Sequence, residues 1–285
     1  MMNRILIICL LFVSCKEEKF SIFNLNNNQI SIIGHGGSGF ISPTNNIPDN
    51  SMKSLELAVE AYNADGIEVD IQMSKDSQLV MYHDKHLRTK TSCLGGAVHD
   101  YNWNELKECT YKKNYFGSVF VDEGLALLNE PVEKFSKRKV VPQIHLDIKS
   151  DGYDESKMSK LEYFDIISRK IVELIEQYQA EDWIYCGCDD IELLKIVNKL
   201  NPKIKLFIEG MNTTELLKKK IELDYFGIVI NNDQVTKKDV ERAHNQGVRV
   251  AIFNLKALPA NKDGLRKSPD YLITDNITLV LDIIN

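Results

Sequence analysis

The chain has 285 residues, 44% of them hydrophobic and 27% charged, which suits a soluble globular protein with one large core and excludes collagenous and disordered classes. A formal net charge of -6 argues against a nucleic-acid footprint, so no nucleic-acid partner is expected. Six cysteines are too few for a disulfide scaffold of this size.

Residues 1–15 run from Arg4 through an unbroken apolar stretch, Ile5 to Val13, to the small pair Ser14-Cys15, the order of a secretory signal. The stretch is shorter than the roughly 20 apolar residues that span a bilayer. With Lys16-Glu17-Glu18-Lys19 following, it resembles a bacterial lipoprotein signal, in which Cys15 becomes the lipid-modified first residue of the mature chain; Phe12 departs from the usual leucine three before the cysteine. An ordinary signal cut nearby and a buried N-terminal strand are the alternatives. The resemblance implies residues 1–14 as signal, residues 15–29 as a polar tether, and a membrane-anchored protein of the bacterial envelope, periplasmic or surface-exposed.

From Ile30 onward, short apolar runs alternate with helical stretches, the pattern of βαβ units and a parallel sheet. The predicted strands are Ile30–Gly34, Gly66–Ile71, Gln143–Ile148, Trp183–Cys186, Lys205–Ile208, Gly227–Ile230, Val248–Phe253 and Tyr271–Thr274. Helices are predicted at Ser51–Tyr62, Lys160–Tyr178, Ile191–Leu200, Thr214–Lys220 and Lys237–Gln246, the clearest being Lys160–Tyr178 with its stripe of Leu161, Phe164, Ile167, Ile171, Leu174, Ile175 and Tyr178. Eight units in residues 30–285 suit a single TIM (β/α)8 barrel domain, with a doubly wound open sheet as the alternative.

Two segments break the alternation. The run Gln78–His83 follows Ile71 too closely for a crossover helix, so it must fold back as a hairpin after the second strand. A turn centred on Lys75 and Asp76 puts His83 opposite Glu68, within a one-residue slip. Residues 84–140 hold no clean strand and two weak helices, near Asn104 and Glu123; so long an irregular stretch reads as an insertion or cap. An oxidising compartment would permit Cys93 and Cys109, in this stretch, to pair. Cys186 and Cys188 share one strand face and, with no further ligands near, read as small buried residues.

A β/α barrel presents its chemistry at the C-terminal ends of its strands. Polar residues there are His35 after the first strand, Glu68 and Asp70 on the second, His83 on the hairpin, and Asp147 and Lys149 on the third. Glu68 and Asp70 alternate with Ile67, Val69 and Ile71 and so share a face. That face either points outward and pairs with lysine or arginine, or points inward, where Glu68, Asp70 and Asp147 would suit a hard ion such as Mg²⁺ or Ca²⁺. His35 runs straight into Gly36-Gly37-Ser38-Gly39, whose amides can approach an anion.

Taken in order, Gly34-His35-Gly36-Gly37, Pro48-Asp49-Asn50-Ser51, Gly66-Ile67-Glu68-Val69-Asp70, Tyr82-His83-Asp84, Ile144-His145-Leu146-Asp147-Ile148-Lys149 and Pro269-Asp270-Tyr271-Leu272-Ile273-Thr274-Asp275 resemble the motifs of the glycerophosphodiester phosphodiesterases, TIM barrels related to phosphatidylinositol-specific phospholipases C. The resemblance implies metal-dependent hydrolysis of a glycerophosphodiester to glycerol 3-phosphate and an alcohol. Glu68, Asp70 and Asp147 would hold Mg²⁺ or Ca²⁺; His35 would act as base and His83 as acid; Lys149 and the amides around Gly36 would bind the phosphate; Phe253 would wall the glycerol or pack the core. Two positions depart from the family pattern: Gly36 replaces an arginine that contacts phosphate, and Asp147 replaces a glutamate. His86, His99, His145 and His244 match no catalytic position, although His145 can share the face of Asp147. The competing functions are another phosphodiesterase or phospholipase-type lyase on this barrel, and a non-catalytic lipid-anchored binding protein.

Overall fold

The computed structural model describes residues 19–40, 42, 45–112 and 123–284. The signal segment and Cys15 lie outside the described residues, as do residues 113–122 of the insertion.

Eight parallel strands close into a barrel: β1 (Ser31–Gly34), β2 (Gly66–Met73), β5 (Gln143–Ile148), β6 (Ile184–Cys188), β7 (Lys205–Gly210), β8 (Gly227–Asn231), β9 (Arg249–Leu255) and β10 (Tyr271–Thr274), with β1 paired to both β10 and β2. All eight predicted strands form, within a few residues at each end. The period of two sorts them into two cores. Ile67, Val69, Ile71, Ile144, Leu146, Ile148, Ile184, Cys186 and Ile208 face the helices, whereas Ile33, Tyr185, Phe207, Ala251, Tyr271 and Ile273 fill the barrel interior.

The intervening β3 (Leu79–Met81) and β4 (Ala126–Leu127) extend the sheet from β2. Strand β2 outruns β1: Gly66 and Ile67 pair with Ile33 and Gly34, and beyond the end of β1 the antiparallel β3 pairs with Ile71–Met73. Met81 lies opposite Ile71, a register one residue from the predicted one, and β3 ends before His83, which the same register would bring opposite Val69 instead of Glu68.

The helices are α1 (Met52–Glu56, continued by a π-helical turn to Ala61), α2 (Trp103–Leu106), α3 (Asn129–Ser136), α4 (Lys160–Gln177), α5 (Ile191–Leu200), α6 (Thr213–Lys218), α7 (Lys237–His244), α8 (Leu258–Arg266) and α9 (Ile277–Ile284). Sequence periodicity misses α3, α8 and α9, because α3 and α8 carry few apolar residues and α9 is apolar nearly all round. The helix expected near Glu123 is instead the approach to β4, whose pairing with β3 overrides local preference. In α4, Leu161 is 66% exposed and leaves the predicted stripe, while Phe164, Ile167, Ile171 and Ile175 are buried.

The insertion builds its own small core from Val80, Tyr82, Leu87, Val98, Leu106, Tyr111 and Leu125, pinned by a disulfide between Cys93 and Cys109. Cys186 and Cys188 are buried and free. Residues 24–29 differ from the expected tether. Asn24 donates to the Pro269 carbonyl, Leu25 N–H to Asp270, and Arg249 to Asn26, so this polar stretch docks beneath the barrel by satisfying backbone groups there. Among the described residues no helix is long and apolar enough to cross a membrane.

Candidate active site

A cavity of about 190 Å³ opens at the C-terminal ends of the barrel strands, lined by His35, Glu68, Asp70, His83, Asp147, Lys149 and Phe253 among others. The inward alternation on β2 and β5 thus gathers side chains that sequence reading placed on separate strands. In-register pairing of Asp70 with Asp147 brings the carboxylates side by side. Carboxylate oxygens of Glu68, Asp70 and Asp147 all lie within 4.8 Å of one another. Such a set of hard oxygen donors fits a divalent cation of the Mg²⁺ or Ca²⁺ type. A second trio, His99, Asp100 and Asp154, lies half-buried outside the barrel mouth, and Lys157 pairs with both of its carboxylates at 2.8 and 3.1 Å.

Lys149 Nζ bridges Asp70 Oδ1 and Asp147 Oδ2 at 2.6 Å each. Burial works against the charge on Asp70, but Lys149 and His83 outweigh it and hold its pKa down at about 2. Asn50 clamps the same carboxylate from two sides, its amide donating to Asp70 Oδ2 (2.7 Å) and its carbonyl accepting from Asp70 N–H (2.9 Å). Asn50 sits at φ 59° just before the α1 cap Ser51, so the turn that starts the helix also aims the clamp. For Glu68, burial and then the charges of Asp70 and Asp147 push the pKa well up, a repulsion that a cation would relieve.

Gly36 departs from the role expected of it. Its N–H donates to Glu68 Oε2 (2.9 Å), so the amide orients a carboxylate and does not stand open to an anion. A Cβ at this position, where φ is +55°, would begin 2.8 Å from the Cβ of Asp49. Asp49 is buried and pairs with Lys90 of the insertion at 2.8 Å, and the same ammonium lies 3.7 Å from Asp84.

The two histidines are held by different carboxylates. His35 Nδ1 lies 2.7 Å from Asp275 Oδ1, which leaves Nε2 on the side of Glu68, 4.0 Å away. His83 Nδ1 lies 2.8 Å from Asp84 Oδ1. That hydrogen bond raises the pKa of His83 against the opposing effect of burial, with Asp70 adding to the rise. Phe40 separates the rings, its centroid 4.4 Å from His35 and 5.2 Å from His83. Gln72, next after Asp70 on the inward face of β2, donates to the carbonyls of Tyr82 and Asp84 and fixes the hairpin end that carries His83.

Below the carboxylates, His145 packs among Tyr185, Phe207 and Tyr271 with centroids 4.8 to 5.5 Å away. Burial lowers its pKa to about 3, so it is a neutral floor residue. Phe253 both lines the cavity and packs against the interior cluster, joining the two roles that sequence left open. His86 and His99 line a wider groove of about 780 Å³, and His244 pairs with Asp270 at 2.8 Å. A recess of about 140 Å³ shares His83 and Lys149 with the cavity at the strand ends, and Lys85, His99 and Asp151 with that groove.

Sequence reading missed Asn50, Gln72, Glu209 and Asp275 as site residues. Asn50 and Asp275 stood in motifs but carried no assigned role, and Glu209 fell just past a strand ended at Ile208. Its signal was available: it continues the inward alternation of Phe207. Burial, then the charge of Asp147, pushes the Glu209 carboxyl up to about 8.

Comparison with known proteins gives a consistent result. Residues 42–279 match the sequence pattern of the Glycerophosphoryl diester phosphodiesterase family. A glycerophosphodiester phosphodiesterase of Bacillus altitudinis is 28% identical over 236 residues, covering 81% of this chain and 90% of that protein. Among solved structures, a phosphodiesterase from Oleispira antarctica, in complex with the product sn-glycerol-3-phosphate, superposes with a TM-score of 0.75 at 20% identity, covering 89% of this chain and 96% of that one. A glycerophosphodiester phosphodiesterase from Parabacteroides distasonis gives 0.72 at 18% identity over 94% and 98%.

Proposed function

The chain belongs to the glycerophosphoryl diester phosphodiesterase family, and on that premise we propose that it hydrolyses glycerophosphodiesters to glycerol 3-phosphate and an alcohol, using a divalent cation held by Glu68, Asp70 and Asp147 and acid/base catalysis by His35 and His83. The observation that carries the reading is the convergence of these five side chains on one cavity at the barrel mouth.

A phosphodiester is an anion, and its cleavage requires neutralised phosphoryl oxygens and a proton for the departing alkoxide. A divalent cation held by Glu68, Asp70 and Asp147 would supply the first by drawing charge from the phosphoryl oxygens. Lys149, bridging Asp70 and Asp147, brings a fixed positive charge to the same mouth. His35, held through Nδ1 by Asp275, presents Nε2 to take a proton from the water that attacks phosphorus. His83, held through Nδ1 by Asp84, which raises its pKa, delivers a proton to the leaving oxygen. The recess beside His83 and the groove beyond it give the alcohol a polar exit. Lys149 also supplies cationic charge where Gly36 offers none.

A panel of glycerophosphodiesters assayed with and without chelator tests the reading. Release of glycerol 3-phosphate that stops on chelation and returns with Mg²⁺ or Ca²⁺ supports it, and full activity after exhaustive chelation or in Asp70→Asn overturns it. We also propose that Cys15 is lipidated and anchors the enzyme in a bacterial envelope, from the apolar run that ends at Ser14-Cys15. Mass spectrometry of the N-terminus checks this; an unmodified N-terminus elsewhere, with membrane retention kept in Cys15→Ala, rules it out.

A further inference from the structure

The half of the cavity away from the carboxylate trio is almost wholly apolar or engaged. Tyr185, Phe207, Val229, Phe253 and Ile273 line it, and the Tyr185 ring packs edge-on against Tyr271 in the barrel interior with centroids 6.2 Å apart. Glu209 is the exception. It lines the cavity from the end of β7, and among the described residues its carboxyl has no hydrogen-bond or ion-pair partner. Its oxygens are not part of the compact trio of Glu68, Asp70 and Asp147. Strand β6 puts Gly187 level with Asp147 and Phe207, so no side chain stands at that level between β5 and β7, and the exposed Asp189 just past β6 adds negative charge felt by both Asp147 and Glu209. The result is a cavity with the proposed phosphate-binding groups on one side and the Glu209 carboxyl, without a donor, on another, over an aromatic floor.

A carboxyl in such surroundings is costly until a hydrogen-bond donor meets it. The glycerol unit of the proposed substrate carries two adjacent free hydroxyls next to the phosphoester, and a carboxyl can accept from both. We propose that Glu209 is the specificity-determining residue that reads those hydroxyls and restricts the enzyme to fully deacylated glycerophosphodiesters. The inference rests on the function proposed above and deepens it. An acyl ester at either hydroxyl removes one of the two donors, and the closed floor of His145, Tyr185 and Phe207 leaves an acyl chain no depth to enter.

The test compares substrates that share one leaving group: glycerophosphocholine, its two deoxy analogues each lacking one glycerol hydroxyl, and lysophosphatidylcholine. For the wild type, kcat/KM should fall about 10- to 150-fold on losing a hydroxyl, the range expected when a buried acceptor loses one donor. In Glu209→Ala that ratio should collapse to within about threefold of one, with Glu209→Gln intermediate because an amide still accepts one hydrogen bond. Calorimetric affinity for Mg²⁺ or Ca²⁺ should survive in Glu209→Gln, and the folded state of both variants is checked by melting temperature. A Glu209→Ala enzyme that keeps the wild-type ratio overturns the inference. So does a Glu209→Gln enzyme whose metal affinity drops tenfold or more, which would give the carboxyl to the cation. A wild type inactive on every glycerophosphodiester refutes the function itself, whereas one active on all four substrates alike refutes only the role of Glu209.

Discussion

Replacing Lys149 with methionine isolates the electrostatics of the site without asking for turnover. The ammonium bridges Asp70 and Asp147 at 2.6 Å, its side chain is 20% exposed, and those of Asp70 and Asp147 are 2% and 25% exposed. Removing one partner of a buried pair costs about 3–5 kcal/mol, and the partial exposure of Asp147 argues for the lower end, about 3 kcal/mol. For a domain of this size that corresponds to a fall in Tm of about 6–12 °C. Asp70 fixes the sign of the pH dependence. Its pKa falls from 3.8 to about 2 in the fold, so its contribution is present above 3.8 and is lost as pH falls through about 2. Because Lys149→Met abolishes that contribution, the gap between wild type and variant should be full at pH 7 in chelator and close as pH drops below about 4. Saturating Mg²⁺ or Ca²⁺ should also narrow it, since a cation among the carboxylates replaces the missing charge. Denaturant unfolding across this pH range, with and without metal, measures each quantity. A variant as stable as wild type in chelator at pH 7, or a deficit unchanged at pH 3, refutes the reasoning.

Three further predictions concern the histidines. His145 is neutral in the fold with its pKa near 3, so stability should be full above about 6.5 and decline as pH falls; at pH 5 the loss from this residue is about 2 kcal/mol, and His145→Gln should flatten that part of the urea-unfolding profile. If His83 protonates the leaving oxygen, His83→Ala should cost about 10²- to 10⁴-fold on a glycerophosphoalcohol and far less on a nitrophenyl ester, whose leaving group needs little protonation, whereas His35→Ala should show no such rescue; equal defects on both substrates would remove the division of labour. Because Asp84 raises the pKa of His83, Asp84→Asn should move the alkaline limb of the kcat/KM profile to lower pH, and an unmoved limb would separate His83 from the acid role.

The alternation of Ile67, Val69 and Ile71 with Glu68 and Asp70 stated, from sequence alone, that both carboxylates share one face. The eight apolar runs and their spacing gave the barrel, and the position of His35, His83, Asp147 and Lys149 at strand ends pointed to the mouth where they line one cavity. These features follow from periodicity within a few residues, which backbone geometry turns directly into a face and a direction. Closure of the barrel decided the rest. It set Asp275 against His35 across 240 residues, brought Lys90 of the insertion to Asp49, and let the amide of Gly36 find Glu68. It docked residues 24–29 under the barrel and brought Glu209, at the end of β7, into the cavity that Asp147 also lines. Each of these is a meeting between distant segments, and nothing in the local pattern of either segment names its partner. The partner is fixed only when strand register and barrel curvature bring two side chains to the same few ångströms, so the sequence identified the groups able to do the chemistry while the tertiary structure assigned what orients each one.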